Sequence, residues 1–209
     1  MKESEARELI VEMARSMFER RLTFGSSGNI SVKINGGWLM TPTGSSLGRL
    51  DPARLSKIDE AGTLISGDAP TKESFLHLAM YRERAGAGAV VHLHSTYSVA
   101  VSCLDGINHD DVLPPITAYY VMRVGKLPLV PYYAPGDKTL GEAVGQYAAK
   151  HAAVLLANHG PVVSGSSLSV AVDAIEELEE TARLYLLLHG RPTRYLNPAQ
   201  VADLKRRFP

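Results

Sequence analysis

The chain contains a single cysteine, Cys103. No internal disulfide is therefore available, which suits a reducing, cytoplasmic setting. No apolar run approaches about 18 residues, so no transmembrane helix and no membrane partner are expected. Charge of either sign is not in excess: Lys+Arg and Asp+Glu are each 22. Nucleic-acid binders carry a basic surplus, so no nucleic-acid partner is expected, and affinity for an anion must come from a local pocket. Residues Met1 to Glu8 mix charges with no apolar stretch behind them, which argues against a secretory leader. Internal repeats, low-complexity tracts and linkers are also missing. What remains is ordinary globular material: 209 residues, 45% apolar and 21% charged. That predicts one domain, 1–209, able to bury about 70% of its unfolded surface. Cys103 follows an apolar stretch and is expected in the core.

Apolar residues at helical spacing (Leu9, Ile10, Met13, Ala14, Met17, Phe18) predict an amphipathic first helix ending near Leu22. Residues Ser31–Ile34 and Trp38–Thr41 flank Asn35-Gly36-Gly37, a hairpin signal. Thr71 is placed to cap a helix over about 72–84, and Ala89–His94 reads as a buried strand. Strands are further expected over 127–132 and 153–157, with a helix opened by Asp137 between them. Ser167 should start a long helix to about His189, with Val170, Ala171, Ala174, Ile175, Leu178, Ala182 and Tyr185 inward. Gly190 and Pro192 end it. Helices and strands alternate, so the fold class is α/β in layers.

Four local signals carry chemistry. His92-Leu93-His94 puts two imidazoles on one face of a strand. They could share a metal at about 2.0–2.1 Å per nitrogen; a bare His-x-His is as readily two hydrogen-bonded histidines. Asn158-His159-Gly160 follows the apolar run 153–157, and a histidine at a strand's C-terminal end is well placed to face an active site. Three imidazoles with open positions are a layout of catalytic zinc. Glu73, at a helix head, suits either dipole compensation or a base beside a metal. Three short loops, Ser26-Ser-Gly-Asn29, Thr43-Gly44 and Thr71-Lys72, offer N–H groups, hydroxyls and an ammonium that could cradle a phosphate; ordinary turn chemistry explains any one of them equally well. His77, His109, His151 and His189 have no metal-like spacing and are assigned structural or surface roles.

Taken in order and spacing, Ser-Gly-Asn-x-Ser, Thr-Pro-Thr-Gly, Glu73, His-x-His and Asn-His-Gly resemble the class II aldolase and adducin head family over nearly the whole chain. The resemblance implies a single three-layer α/β/α domain around a mostly antiparallel sheet, the fuculose-phosphate aldolase-like fold, commonly in four-fold symmetric tetramers. It implies one zinc ion per chain on His92, His94 and His159, and Glu73 as acid/base. It places substrate phosphate on Gly28, Asn29, Thr43 and Gly44, with Thr71 and Lys72 adding to the pocket. Fuculose-phosphate aldolases have two serines just before the glutamate; here the pair is Thr71-Lys72. That lysine, with the segments 115–125 and 131–137, resembles the 3-oxo-tetronate 4-phosphate decarboxylases, in which a tyrosine donates a proton. Tyr119 sits at the matching position, with Tyr120 beside it. The expectation is decarboxylation of a sugar-acid phosphate. The alternative is an aldolase or epimerase on a sugar phosphate such as fuculose 1-phosphate or ribulose 5-phosphate. A non-catalytic adducin-like module should lack one or more of the three histidines, and all are present.

Overall fold

The computed structural model describes residues 2–208. Helix α1, Glu3–Glu19, buries Ala6, Ile10, Val11, Ala14 and Met17 at the expected helical spacing and stops three residues before Leu22. The hairpin forms as β1, Asn29–Ile34, and β2, Gly37–Met40. Two short 3₁₀ turns, Leu47–Arg49 and Pro52–Arg54, lead to β3, Ser56–Ile58, and β4, Leu64–Ser66. Then follow α2, Ser74–Glu83; β5, Ala89–His92; α3, Thr96–Ser102; and α4, Ala118–Arg123. Strand β6, Leu129–Val130, is shorter than expected, because Pro128 and Pro131 bracket it and neither can donate to a ladder. The chain continues through α5, Thr139–Ala148; β7, Ala153–Leu156; β8, Gly160–Gly165; α6, Leu168–Leu188; and α7, Pro198–Arg207. Ser167 caps α6 as read, its side chain accepting from Val170 N–H, whereas Val170 itself points to solvent rather than inward.

All eight strands join one sheet in the order β4-β3-β2-β1-β5-β8-β7-β6. Every pairing is antiparallel except β6 with β7. Strand side chains alternate between faces, and the core splits accordingly. Ile30, Val32, Ala89, Val91, Leu155 and Val163 pack with α1 and α6 on one face. Val90, Val154, Leu156 and Val162 pack with Leu76 and Met80 of α2 and Leu140 and Val144 of α5 on the other. This is the three-layer α/β/α arrangement with a mostly antiparallel centre. Cys103 departs from expectation: it caps the C-terminus of α3 and is exposed, its Sγ accepting from Asn158 Nδ2 at 3.3 Å. Among the described residues, no helix is long and apolar enough to cross a membrane.

Candidate metal centre and anion pocket

The site grows from the register of the central strands. Asn29 on β1 lies directly opposite His92 on β5, and Ser31 opposite Val90. Paired residues in an antiparallel ladder share a face. Asn29, Ser31 and His92 therefore face α2, whose residues Glu73, His77 and Tyr81 recur every four positions along one side. Glu73 is the N-cap residue of α2; Thr71 caps the turn before it, its Oγ1 accepting from Glu73 N–H at 3.3 Å. His94 lies two residues beyond His92, past the end of β5. His159 sits in the three-residue turn joining β7 to β8, where Asn158 adopts φ +56°. Gly160 follows at φ +152°, and a Cβ there would lie 2.2 Å from the Leu93 carbonyl oxygen. Only glycine lets β8 pass that close, which carries His159 over the end of β5.

The three imidazoles converge on their Nε2 atoms: His92 to His94 3.1 Å, His94 to His159 3.1 Å, and His92 to His159 3.3 Å. His92 Nδ1 faces the Pro161 carbonyl at 2.8 Å. A carbonyl only accepts, so Nδ1 carries the proton and Nε2 presents a bare lone pair. Three ring nitrogens converging this closely can turn their lone pairs on one shared cation. Around a tetrahedral ion with about 2.0–2.1 Å bonds, ligand nitrogens lie about 3.3–3.4 Å apart. The triangle formed by His92, His94 and His159 fits such an ion. Burial lowers the pKa of His92 and of His94, which keeps both neutral and able to ligate.

Glu73 closes the cluster. Its Oε1 lies 3.1 Å from His159 Nε2 and its Oε2 3.6 Å from His92 Nε2. All four groups offer ligand atoms within 4.8 Å of one another. Burial alone would raise the Glu73 pKa. The His159 contact and the Asn29 Nδ2 donor at 2.7 Å oppose it, and the carboxyl is held well below its usual range. Glu73 is thus ionised, a base at rest.

Two adjoining cavities open at this cluster, both lined by Glu73, His94 and Pro135. One, of about 310 Å³, is the more polar of the two and is built by the three loops that the sequence offers: Gly28, Asn29, Thr43, Gly44, Thr71 and Lys72 all line it. Backbone pairing brings the second and third loops together, Thr43 N–H donating to Ala69 O at 3.0 Å and Thr71 N–H to Thr41 O at 3.2 Å. The other cavity, of about 510 Å³, is walled by Phe24, Val99, Tyr132 and Tyr133. Tyr119 borders neither cavity. It stands 60% exposed on α4, with the Arg123 guanidinium 5.5 Å from its ring centre. Tyr120 is a core residue whose buried hydroxyl finds no partner. Burial raises its pKa, and the Asp111 charge adds to the effect.

Sequence reasoning passed over one residue of this region. His77 is fully buried one helical turn below Glu73 and bonds both Ser31 and Asn29. Its four-residue spacing from Glu73 on α2 was the available signal.

The model of the Class II Aldolase and Adducin N-terminal domain family matches residues 8–186. The chain is 51% identical over 204 residues to the 3-oxo-tetronate 4-phosphate decarboxylase of Escherichia coli K12, covering 97% of this chain and 96% of the relative. It is 34% identical to the L-fuculose phosphate aldolase of Methanocaldococcus jannaschii, over 85% of this chain and 93% of that one. Among solved structures, Escherichia coli YgbL superposes with TM-score 0.95 at 50% identity, covering 97% and 99% of the two chains. An L-fuculose 1-phosphate aldolase superposes with TM-score 0.87 at 26% identity, covering 100% and 98%. With its sheet order, histidine triangle and glutamate already in place, this chain belongs to the class II aldolase and adducin N-terminal domain family.

Proposed function

We propose that this chain is a metal-dependent 3-oxo-tetronate 4-phosphate decarboxylase, forming dihydroxyacetone phosphate and carbon dioxide. The observation that carries the reading is the histidine triangle with Glu73, set at the mouth of a polar pocket bearing Lys72. Relatives about 50% identical over nearly the full length bear that name. Three neutral imidazoles favour zinc, one ion per chain, on His92, His94 and His159. Such an ion supplies Lewis acidity to the ketone and neighbouring hydroxyl oxygens of the substrate.

The protein groups divide the remaining work. Lys72, Thr43, Gly44, Asn29, Gly28 and Thr71 hold the phosphate. Glu73, ionised, takes the proton of the C2 hydroxyl as the C1–C2 bond breaks and its electrons move toward C3. The ene-diolate left behind needs one proton at C2, and Glu73 returns its proton to the C2 oxygen, so one net proton is taken up per carbon dioxide released. We assign that donation to Tyr119. A phenol hydroxyl is a proton donor of the kind this step needs. Because Tyr119 borders neither cavity of its own chain, it would reach the site of a neighbouring copy. The assignment therefore requires a homo-oligomer, which we propose is a tetramer, working as a set of single catalytic domains. An exposed thiol at Cys103 is compatible with a reducing cytoplasm.

The test is incubation of zinc-loaded protein with each C2 epimer of 3-oxo-tetronate 4-phosphate. Dihydroxyacetone phosphate should appear from one of them and be reduced by a coupled NADH-dependent dehydrogenase. No turnover of either epimer, with cleavage of fuculose 1-phosphate instead, would move the assignment to aldolase.

A further inference from the structure

Beneath Glu73 and Asn29 lies a buried polar chain of His77, Ser31 and Tyr81 that neither metal binding nor phosphate binding requires. His77 is fully buried on α2. Its Nε2 is 2.5 Å from Asn29 Oδ1, and its Nδ1 is 2.7 Å from Ser31 Oγ. Asn29 Nδ2 in turn donates to Glu73 Oε2 at 2.7 Å. Ser31 Oγ also lies 3.0 Å from Tyr81 Oη, which is 3.1 Å from the Ser31 carbonyl.

The donors can be assigned without ambiguity. An ionised carboxylate only accepts, so Asn29 must turn its NH₂ group to Glu73 and its oxygen to His77. That oxygen only accepts, so His77 Nε2 carries the proton. Burial keeps the ring neutral, so Nδ1 is a bare acceptor and takes the Ser31 hydroxyl proton. Tyr81 then donates to Ser31. From Glu73 to Ser31 each member has one direction, and reversing any of them sets two acceptors face to face at Glu73; Tyr81 has one proton, which serves the Ser31 carbonyl or Ser31 Oγ. The Asn29 amide grips Glu73 through one N–H, and Asn29 also lines the cavity of about 310 Å³.

We propose that His77 is a positioning residue: through its Nε2–H it locks the Asn29 amide in the orientation that holds the Glu73 carboxylate against the histidine triangle. The proposal rests on reading Glu73 as the base. It separates two roles that burial alone confounds. If His77 only fills space, leucine is the better replacement, since it is apolar and similar in bulk. If the N–H matters, glutamine is better, since its amide can still donate to Asn29 Oδ1.

The experiment compares His77→Gln, His77→Leu and Ser31→Ala in the zinc-loaded enzyme, reading kcat, KM, metal content and a crystal structure of each. His77→Leu should lower kcat about 10- to 100-fold, the usual loss when a supporting contact around a metal centre is removed. Metal content should stay near one ion per chain, while the Asn29 Nδ2 to Glu73 Oε2 bond is lost. His77→Gln should retain that bond and stay within about fivefold of wild-type kcat, the worth of roughly one neutral hydrogen bond. Wild-type kcat in His77→Leu would overturn the proposal. So would equal losses in the two variants with both folded and metal-loaded. If His77→Leu does not fold, Ser31→Ala decides: it deletes one hydroxyl, should lower kcat several-fold, and unchanged kcat refutes the chain. If wild-type protein fails to turn over the substrate, the decarboxylase reading falls by itself. The role of His77 is then judged on the structures alone: loss of the Asn29–Glu73 bond in His77→Leu with its retention in His77→Gln supports it, and survival of the bond in His77→Leu refutes it.

Discussion

Glu179, a buried carboxylate in the middle of α6, gives the most quantitative check on how the metal centre is held. Its two oxygens accept from Tyr97 N–H at 2.8 Å, Ser98 N–H at 2.8 Å and the Ser98 hydroxyl at 2.6 Å. Those donors belong to the first turn of α3, which begins two residues after His94. The carboxylate therefore satisfies helix N–H groups that have no partner within α3 and ties the His94 segment to α6. Bonds to a charged acceptor are worth about 1.5–3 kcal/mol each, and they are not additive within one cluster. Tyr97 is partly exposed, so water can re-satisfy its N–H once the carboxylate is gone. Glu179→Ala should then cost about 3 kcal/mol, which for a chain of this size lowers Tm by about 6–12 °C. The assay is thermal melting followed by far-ultraviolet circular dichroism, with exposed Glu180→Gln as a control expected within about 0.5 kcal/mol of wild type. Metal affinity should fall about tenfold, because His94 loses its anchor. A Glu179→Ala variant melting within measurement error of wild type would refute the tether.

Four further outcomes follow from the site. The His92→Ala, His94→Ala double variant should lose its metal, and full retention by elemental analysis would exclude the histidine triangle as the ligand set. Lys72→Met should lower kcat/KM about 10- to 150-fold, and turnover of an unphosphorylated substrate should be comparably slow in the wild type; equal turnover with and without phosphate contradicts the anion pocket. Tyr119→Phe should lower turnover about 10²–10⁴-fold with metal content unchanged. Mixing it with Glu73→Gln subunits should restore activity if the tyrosine serves a neighbouring copy, and no restoration on subunit exchange would refute that arrangement. The fourth concerns acid. Burial lowers the pKa of His77 to about 4, against the opposing pull of Glu73. The unfolded chain, with a histidine pKa of about 6.5, binds the proton first. Stability from this residue is therefore complete above about pH 6.5 and lost as pH falls toward 4, by about 2 kcal/mol at pH 5. Urea unfolding at pH 7 and pH 5 should show that loss in wild type and about 2 kcal/mol less of it in His77→Gln; identical losses would exclude a buried neutral His77.

The parts of the fold legible in the sequence were those with strong local chemistry. Ser167 and the apolar stripe behind it defined α6, and glycines at 36 and 37 turned β1 into β2. His92 and His94 converged as their spacing implied. The parts that escaped were decided by tertiary contacts. Strands β3 and β4 are three residues each and carry too little pattern to be seen. Strand β8 contains Gly160, Pro161 and Gly165, residues that normally weaken a strand, yet it is central and wholly buried. Its proline is the second residue of the strand, and its carbonyl still accepts from His92 Nδ1–H and Leu93 N–H. Val170 faces outward at the start of α6 although the helical period alone would accept it. Spacing between histidines leaves His77 only a structural role, whereas its meaning lies in β1 register: Asn29 and Ser31 share the face that α2 covers.

The central claim, that this histidine–glutamate site removes carbon dioxide from a 3-oxo acid phosphate, meets its most direct test in isotope stoichiometry. 3-Oxo-tetronate 4-phosphate labelled with ¹³C at C1 is supplied to the zinc-loaded enzyme, and the gas and the triose product are analysed together. The account predicts one labelled carbon dioxide for each dihydroxyacetone phosphate, with none of the label in the triose. Label retained in a non-gaseous product, or triose formed without labelled carbon dioxide, would contradict it.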